Sequence, residues 1–395
     1  MNIVAGKRKR SLGEYIYIIA LALGIAGSLL LGTMSPWASH AMYLVRAGII
    51  LCIIKTIFID RFTASELGTY AVCLGLAVLS YDSVRHGMLL VIPFIFGAKD
   101  VDFKKIMKTY LVTVVLLLLM INALALFRKI PNLVFFRDGK PRNSYGFTYP
   151  TLEAAHIFYL LLAYAVYKKF KFNLFQDFMV AVLGYFIISR CDARLDAYLT
   201  FALLFVIICR KLLFKVMSKL NDYVPAIVVI ILVVGYLLLA KNYNPMSSTY
   251  FHLNTLLSNR LSLTQQGLMR YPVKLFGNHV QMQGFGGYAG QAMAQTSWMA
   301  RNYFYIDNSF AQILLINGSV LFIITLAVCT YVAWKNMKIK NYSFVLAIMF
   351  LIISGSIEAF LIQLSYNIFI VVILANTQYW ERKKDEEISC DINNK

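Results

Sequence analysis

Long apolar blocks, parted by short basic joints, recur from residue 15 to residue 379. A helix needs about 20 apolar residues to cross a bilayer. Blocks of that order lie near 15–32, 41–59, 67–80, 84–98, 106–127, 151–167, 174–189, 195–209, 223–240, 308–333, 342–357 and 360–379. They predict an all-α, polytopic membrane protein with about twelve transmembrane helices. The blocks at 67–80 and 84–98 are short and also fit one re-entrant pair. Two polar stretches interrupt the series. One is 128–150, "RKIPNLVFFRDGKPRNSYGFTYP"; the other is 241–307. A loop as long as the second is usually functional or has structure of its own. Leucines at helical spacing before Pro272 predict an amphipathic helix lying on the outer membrane surface. "GFGGYAG" (284–290) reads as a turn, because no strand precedes it to make a phosphate loop. The chain shows no internal repeat, and residues 1–395 read as a single transmembrane domain.

Composition agrees: 59% of residues are hydrophobic and only 14% charged, against roughly 25% charged in soluble domains. The formal charge of +19 would suggest nucleic acid as a partner in a soluble protein. Here the cations sit in short joints, and they read as topology rather than as a nucleic-acid surface. "KRKR" (7–10), Lys99, Lys104, Lys105, "KKFK" (168–171), Lys211, Lys215, Lys335 and "RKK" (382–384) all fall on one side. The positive-inside rule makes that side cytoplasmic. Both termini are then cytoplasmic, residues 380–395 form a solvated tail, and the two long loops face outward. The N-terminal apolar run reads as an uncleaved first span of a plasma-membrane protein. The six cysteines form no CxxC pair, so neither a metal-ligand spacing nor a disulfide framework is visible.

The stretch "IISRCDARLDAYL" (187–199) places Arg190, Asp192, Arg194 and Asp196 between two apolar blocks. As a helix it stacks Arg190 on Arg194 and Asp192 on Asp196, leaving opposite charges unpaired. As an extended segment it puts all four on one face. A solvated turn is the plainest reading. The long loops add Arg128, Lys129, Arg137, Lys140, Arg142, Lys241, Arg260, Arg270, Lys274 and Arg301 against only Asp138 and Asp307. An outward basic surface runs against insertion bias and suits a strongly anionic substrate. Arginine's planar fork binds phosphate in a bidentate way. Arg46, Asn122, Glu153, His156 and Glu358 fall in the outer third of their predicted spans, whereas coupled transporters place ionisable groups near the midplane. Asp177, toward an inner end, is the exception.

Three segments resemble one family. "PRNSYGFTYPT" (141–151) is similar to the arginine-then-"GF-His-Pro-Asn" segment of bacterial repeat-unit polysaccharide polymerases (Wzy-type, making O-antigen, capsule or exopolysaccharide). "SNRLSLTQQGLMRYPVKLFGN" (258–278) looks like their long-loop pattern. "DNSFAQILLINGSVLF" (307–322) resembles the segment entering the next span, with Gly318 at the offset seen in the related O-antigen ligases. Tyr149 and Thr151 stand where the family has histidine and asparagine, and Asp307 stands where the ligases have histidine. The last difference favours polymerase over ligase. The resemblance implies a polyprenyl-linked (GT-C-like) membrane glycosyltransferase that uses no cofactor and no metal. It also implies an undecaprenyl-diphosphate-linked oligosaccharide as substrate, and a flippase and a chain-length regulator as pathway partners. On this reading Arg142, Arg190, Arg194 and Arg260 bind diphosphate. Asp307, His279 and Glu153 are, in that order, candidates for the base. Tyr149, Tyr303, Tyr305 and Asn308 are candidates for sugar contact. A helix N-terminal cap is the structural alternative for Asp307. A ligase of O-antigen or teichoic-acid type and a non-enzymatic flippase or exporter remain as rival readings.

Overall fold

The computed structural model describes residues 2–80, 87–296, 303–371 and 373–377, with side chains described from residue 12 onward. The predicted tail 380–395 and Arg301 lie outside the described residues. In chain order the helices are α1 (Asn2–Leu30), α2 (Ala41–Ile54), α3 (Ala64–Leu79), α4 (Gly87–Gly97) and α5 (Phe103–Leu126). A hairpin of β1 (Val134–Arg137) and β2 (Lys140–Asn143) follows. Then come α6 (Pro150–Tyr167), α7 (Leu174–Phe186), α8 (Arg194–Ile208), α9 (Arg210–Met217), α10 (Val224–Lys241), α11 (Ser248–Leu256), α12 (Arg260–Arg270), α13 (Gly287–Gln295), α14 (Ser309–Gln312), α15 (Ser319–Lys338) and α16 (Tyr342–Ile357).

Among the described residues, six helices are long and apolar enough to cross a membrane, rather than the twelve expected. The pair α8 and α9, bent by 79°, adds a seventh only if the two are counted as one span. The shortfall has physical causes. α3, α4 and α16 are apolar but short. The block 308–333 is broken at Gly318, whose φ of 94° and ψ of 167° belong to a region essentially restricted to glycine. The block 360–379 is not a helix in its described part; residues 358–371 form turns and a short 3-10 helix, Ile368–Val371. That run is buried, and its polar groups are met from neighbouring helices and from within the run. Tyr110 Oη donates to the Ser365 and Tyr366 carbonyls at 3.2 and 2.7 Å, and Asn367 Nδ2 donates to the Leu361 carbonyl at 2.7 Å. Irregular backbone inside a membrane protein needs such cover.

The core is one continuous apolar cluster running from Tyr17 and Leu21 in α1 through Phe103 and Tyr110 in α5, Phe158 in α6 and Phe344 in α16. The two long loops meet at one end of it. The Thr148 amide donates to the Gly32 carbonyl (2.9 Å), the Gly287 amide to the Thr148 carbonyl (2.8 Å) and the Ser319 amide to the Lys274 carbonyl (2.9 Å). Ion pairs Lys55–Asp60, Lys99–Glu66 and Lys105–Glu14 mark the opposite end. α12 does not lie free on a membrane surface as expected. It buries Arg260, Leu261, Thr264 and Gly267 and packs on α10.

Candidate functional site

The hairpin is the first part of the site. Its strands pair antiparallel with Phe135 opposite Arg142, and Asp138 (φ 52°) and Gly139 (φ 74°) close it. Two positive φ values at an Asp-Gly pair are what a type I′ turn requires. The pairing swings Arg142 and Arg137 toward the break between α7 and α8.

That break answers the question posed by 187–199. The stretch is neither a through-going helix nor an extended strand. α7 ends in a π turn, Ile187–Cys191, Asp192 takes left-handed φ of 43°, and α8 starts afresh at Arg194. Arg190 and Arg194 therefore share no face. Asp192 becomes a hub: its carboxylate lies 3.3 Å from Arg137 Nη1, 3.3 Å from Arg194 Nε and 3.9 Å from Arg142 Nε. Arg142, 3% exposed, also donates to the Cys191 carbonyl (3.2 Å) and to Tyr149 Oη (3.1 Å). Its Nη2 is buried with no hydrogen-bond partner within the protein. Arg194 reaches across to Asp138 Oδ2 at 3.2 Å. Three guanidinium groups thus converge on two carboxylates.

The second part gathers around Arg260 at the start of α12. Its Nη2 donates to Glu358 Oε1 at 2.6 Å, and its Nε lies 3.7 Å from Asp307 Oδ2. Asp196, buried in the first turn of α8, adds its field to the same guanidinium. Burial works against the charge of Arg260, but Glu358, Asp307 and Asp196 more than offset that and hold it protonated. Burial pushes the Asp307 carboxyl above its ordinary range, and Arg260 pulls it part of the way back. The Tyr303 hydroxyl is pushed up by burial and by Asp307.

Both parts open into one cavity of about 1200 Å³. Arg137, Arg142, Arg194, Arg260, Asp307 and Glu358 line its polar end, with Tyr149, Tyr303 and Tyr305 beside them. Phe285 stacks on Tyr303 with ring centroids 4.4 Å apart. An apolar arm extends between α1, α2 and α4, lined by Gly24, Val45, Leu90, Val91 and Phe94.

Four expected site residues stand elsewhere. Arg190 is exposed and does not line the cavity. His279 is exposed just outside it, although Val280 lines the wall. Glu153 is buried in α6, where it accepts from Asn122 Nδ2 at 3.0 Å. Asn308 is buried as the cap of α14, accepting from the Ala311 amide and donating to the Ser356 carbonyl, both at 2.6 Å. That cap belongs to Asn308 and not to Asp307, whose side chain keeps 21% of its surface open.

Arg137, Asp192 and Glu358 were not among the expected site residues. Glu358 carried a signal: it is the only acid between Asp307 and Glu381 in a strongly apolar region, and isolated acids in such regions mark function by default. Among the described residues no group of three or more His, Cys, Asp or Glu side chains is arranged to hold a metal ion. The carboxylates at the polar end surround arginine instead.

The fold and this cavity define a mostly helical, membrane-embedded protein with an ion-pair-rich chamber at one end. Comparison with family models, with curated proteins and with solved structures finds no match.

Proposed function

We propose that the chain polymerises undecaprenyl-diphosphate-linked oligosaccharide units, moving a growing glycan from one carrier lipid to the non-reducing end of another unit. The observation that carries this reading is the double character of the cavity. Converging arginines and partly open carboxylates stand at one end, and an apolar arm leads away from them. That pairing fits an amphiphile whose diphosphate joins a sugar to a hydrocarbon chain.

The division of charge assigns the roles. Among the described residues Arg137, Arg142 and Arg194 make their ion pairs with Asp138 and Asp192, so this side retains net positive charge and suits the diphosphate. Arg260 is already neutralised by carboxylates of the chain, although its Nε makes no hydrogen bond within the protein, so it serves to position Asp307 rather than to bind phosphate. In the reaction Asp307 takes the proton of the acceptor hydroxyl and the freed oxygen attacks the anomeric carbon. The bond from that carbon to the diphosphate oxygen breaks, and its electron pair leaves on the diphosphate. The three arginines stabilise that charge without reorganising, which is usually the largest catalytic contribution. Tyr303, stacked on Phe285, offers a sugar face next to Asp307.

In this reading the cavity end faces outward from the plasma membrane and both termini face the cytoplasm. The irregular run after α16 then serves as a twelfth crossing. It starts at Glu358 beside Arg260 and ends where the Asn376 amide donates to the Val101 carbonyl at 2.8 Å. The test is a charge-keeping swap. Arg142→Lys and Arg194→Lys together should leave the protein inserted while cells display single repeat units in place of polymer. Full-length polymer in the double variant would refute the arginine assignment.

A further inference from the structure

At the end of the molecule away from the cavity, α8 turns by 79° into α9. α15 runs 20 residues from the cavity wall to the same region, a distance of about 30 Å. α9 is pinned on one side only. Phe214 packs on Tyr342 with ring centroids 5.6 Å apart, and Met217 packs with Met337 and Val345. The rest of its surface, with the turn at 218–220 that follows, carries two adjacent stripes, each with the four-residue spacing of one helix face. Leu212, Val216 and Leu220 are exposed apolar residues. Lys211, Lys215 and Lys219 are exposed cations.

The apolar stripe continues surfaces that already face away from the protein. Phe205 and Ile208 on α8 and Tyr223 and Ile227 by α10 are exposed in the same way. Aromatic side chains accompany it: Tyr223 stacks on Trp334 at 6.3 Å, and Lys338 sits over the Trp334 ring at 5.1 Å. Tryptophan and tyrosine collect at the boundary of a bilayer, and a helix with an apolar face beside a basic one lies in that boundary. Lysines there extend their charge to the phosphate layer while their stems stay apolar.

We infer that α9 is an in-plane helix that, together with the turn after it, recognises the anionic phospholipid headgroups of the leaflet opposite the cavity, through Lys211, Lys215 and Lys219. The partner is the bilayer itself, because cations alternate with side chains that need hydrocarbon beneath them. Neither free phosphate nor a soluble acidic partner would use Leu212, Val216 and Leu220. This inference needs only a membrane-embedded chain and stands apart from the polymerase reading.

The test titrates the purified full chain in detergent with phosphatidylglycerol or phosphatidylcholine and counts retained lipid by native mass spectrometry. The wild-type chain should retain phosphatidylglycerol preferentially. A triple variant with Lys211→Gln, Lys215→Gln and Lys219→Gln should lose that preference by about fivefold per lysine removed. The triple Lys→Arg variant should keep it. Glutamine at Lys129, Lys241 and Lys274 should leave it unchanged. Wild-type preference in the first variant, an equal loss in the last, or displacement of the lipid by equimolar inorganic phosphate would each overturn the inference.

Discussion

At the scale of single residues, three carboxylates, Glu358, Asp307 and Asp196, divide one arginine, Arg260. Asp307, partly open and raised in pKa by burial, is suited to accept a proton. Asp307→Asn should lower the rate of polymer formation by about 10²–10⁴-fold, with the protein still inserted. In the proposed reaction the working form is the carboxylate, and it is lost as pH falls through the raised pKa. Activity should therefore decline with acidification at a pH above the ordinary aspartate value of about 3.9, and a pH–rate profile checks this. Glu358→Gln removes the residue that competes for Arg260 at 2.6 Å. Arg260 would then favour the charged form of Asp307 more strongly, shifting the acid limb to lower pH and weakening the base. An acid limb that stays in place would break the link between the two carboxylates. Arg142→Lys keeps the charge but cannot serve Cys191, Tyr149 and a ligand at once. A loss of about 10²-fold in turnover is expected, the size seen when one preorganised donor is removed.

At the scale of elements, two turns hold the site, and each depends on a glycine. A Cβ at Gly318 would stand 2.2 Å from the Leu275 carbonyl oxygen, and the backbone there is one that side chains avoid. Gly318→Ala should destabilise the protein by about 1–3 kcal/mol, read as a lower thermal midpoint in detergent. Parts of this architecture were legible in the sequence. The expected spans 106–127 and 223–240 match α5 (Phe103–Leu126) and α10 (Val224–Lys241) within a few residues, because an apolar run with polar flanks declares its own ends. The hairpin was marked by Asp138-Gly139 between apolar and basic residues, a turn signal that the charge pattern obscured. The break at 187–199 was legible as a turn between two blocks, but its burial as an ion-pair hub was not. Its shape is set by Arg137 and Arg142, about 50 residues upstream, and no local spacing announces that an aspartate will serve a distant hairpin. The non-helical course of 360–371 was hidden for a similar reason. Its composition is that of a span, and partners such as Tyr110, Ser309 and Asn367 allow it to remain irregular.

At the scale of the whole molecule, the two ends differ in kind: one holds the cavity, its arginine ion pairs and both long loops, the other the lysine ion pairs and the basic helix α9. The proposed orientation makes them the outer and inner faces. In a variant lacking the native cysteines, Lys129→Cys should react with a membrane-impermeant thiol reagent in intact cells, and Lys219→Cys only after permeabilisation; the reverse pattern would invert the topology. The central claim is that the cavity joins lipid-linked glycans to one another. The most direct measurement reconstitutes the purified chain in vesicles with undecaprenyl-diphosphate-linked repeat units and sizes the products by electrophoresis. A ladder of lengthening glycan, absent with Asp307→Asn, is the predicted result. Units that stay single, or that merely cross the bilayer unchanged, would contradict it.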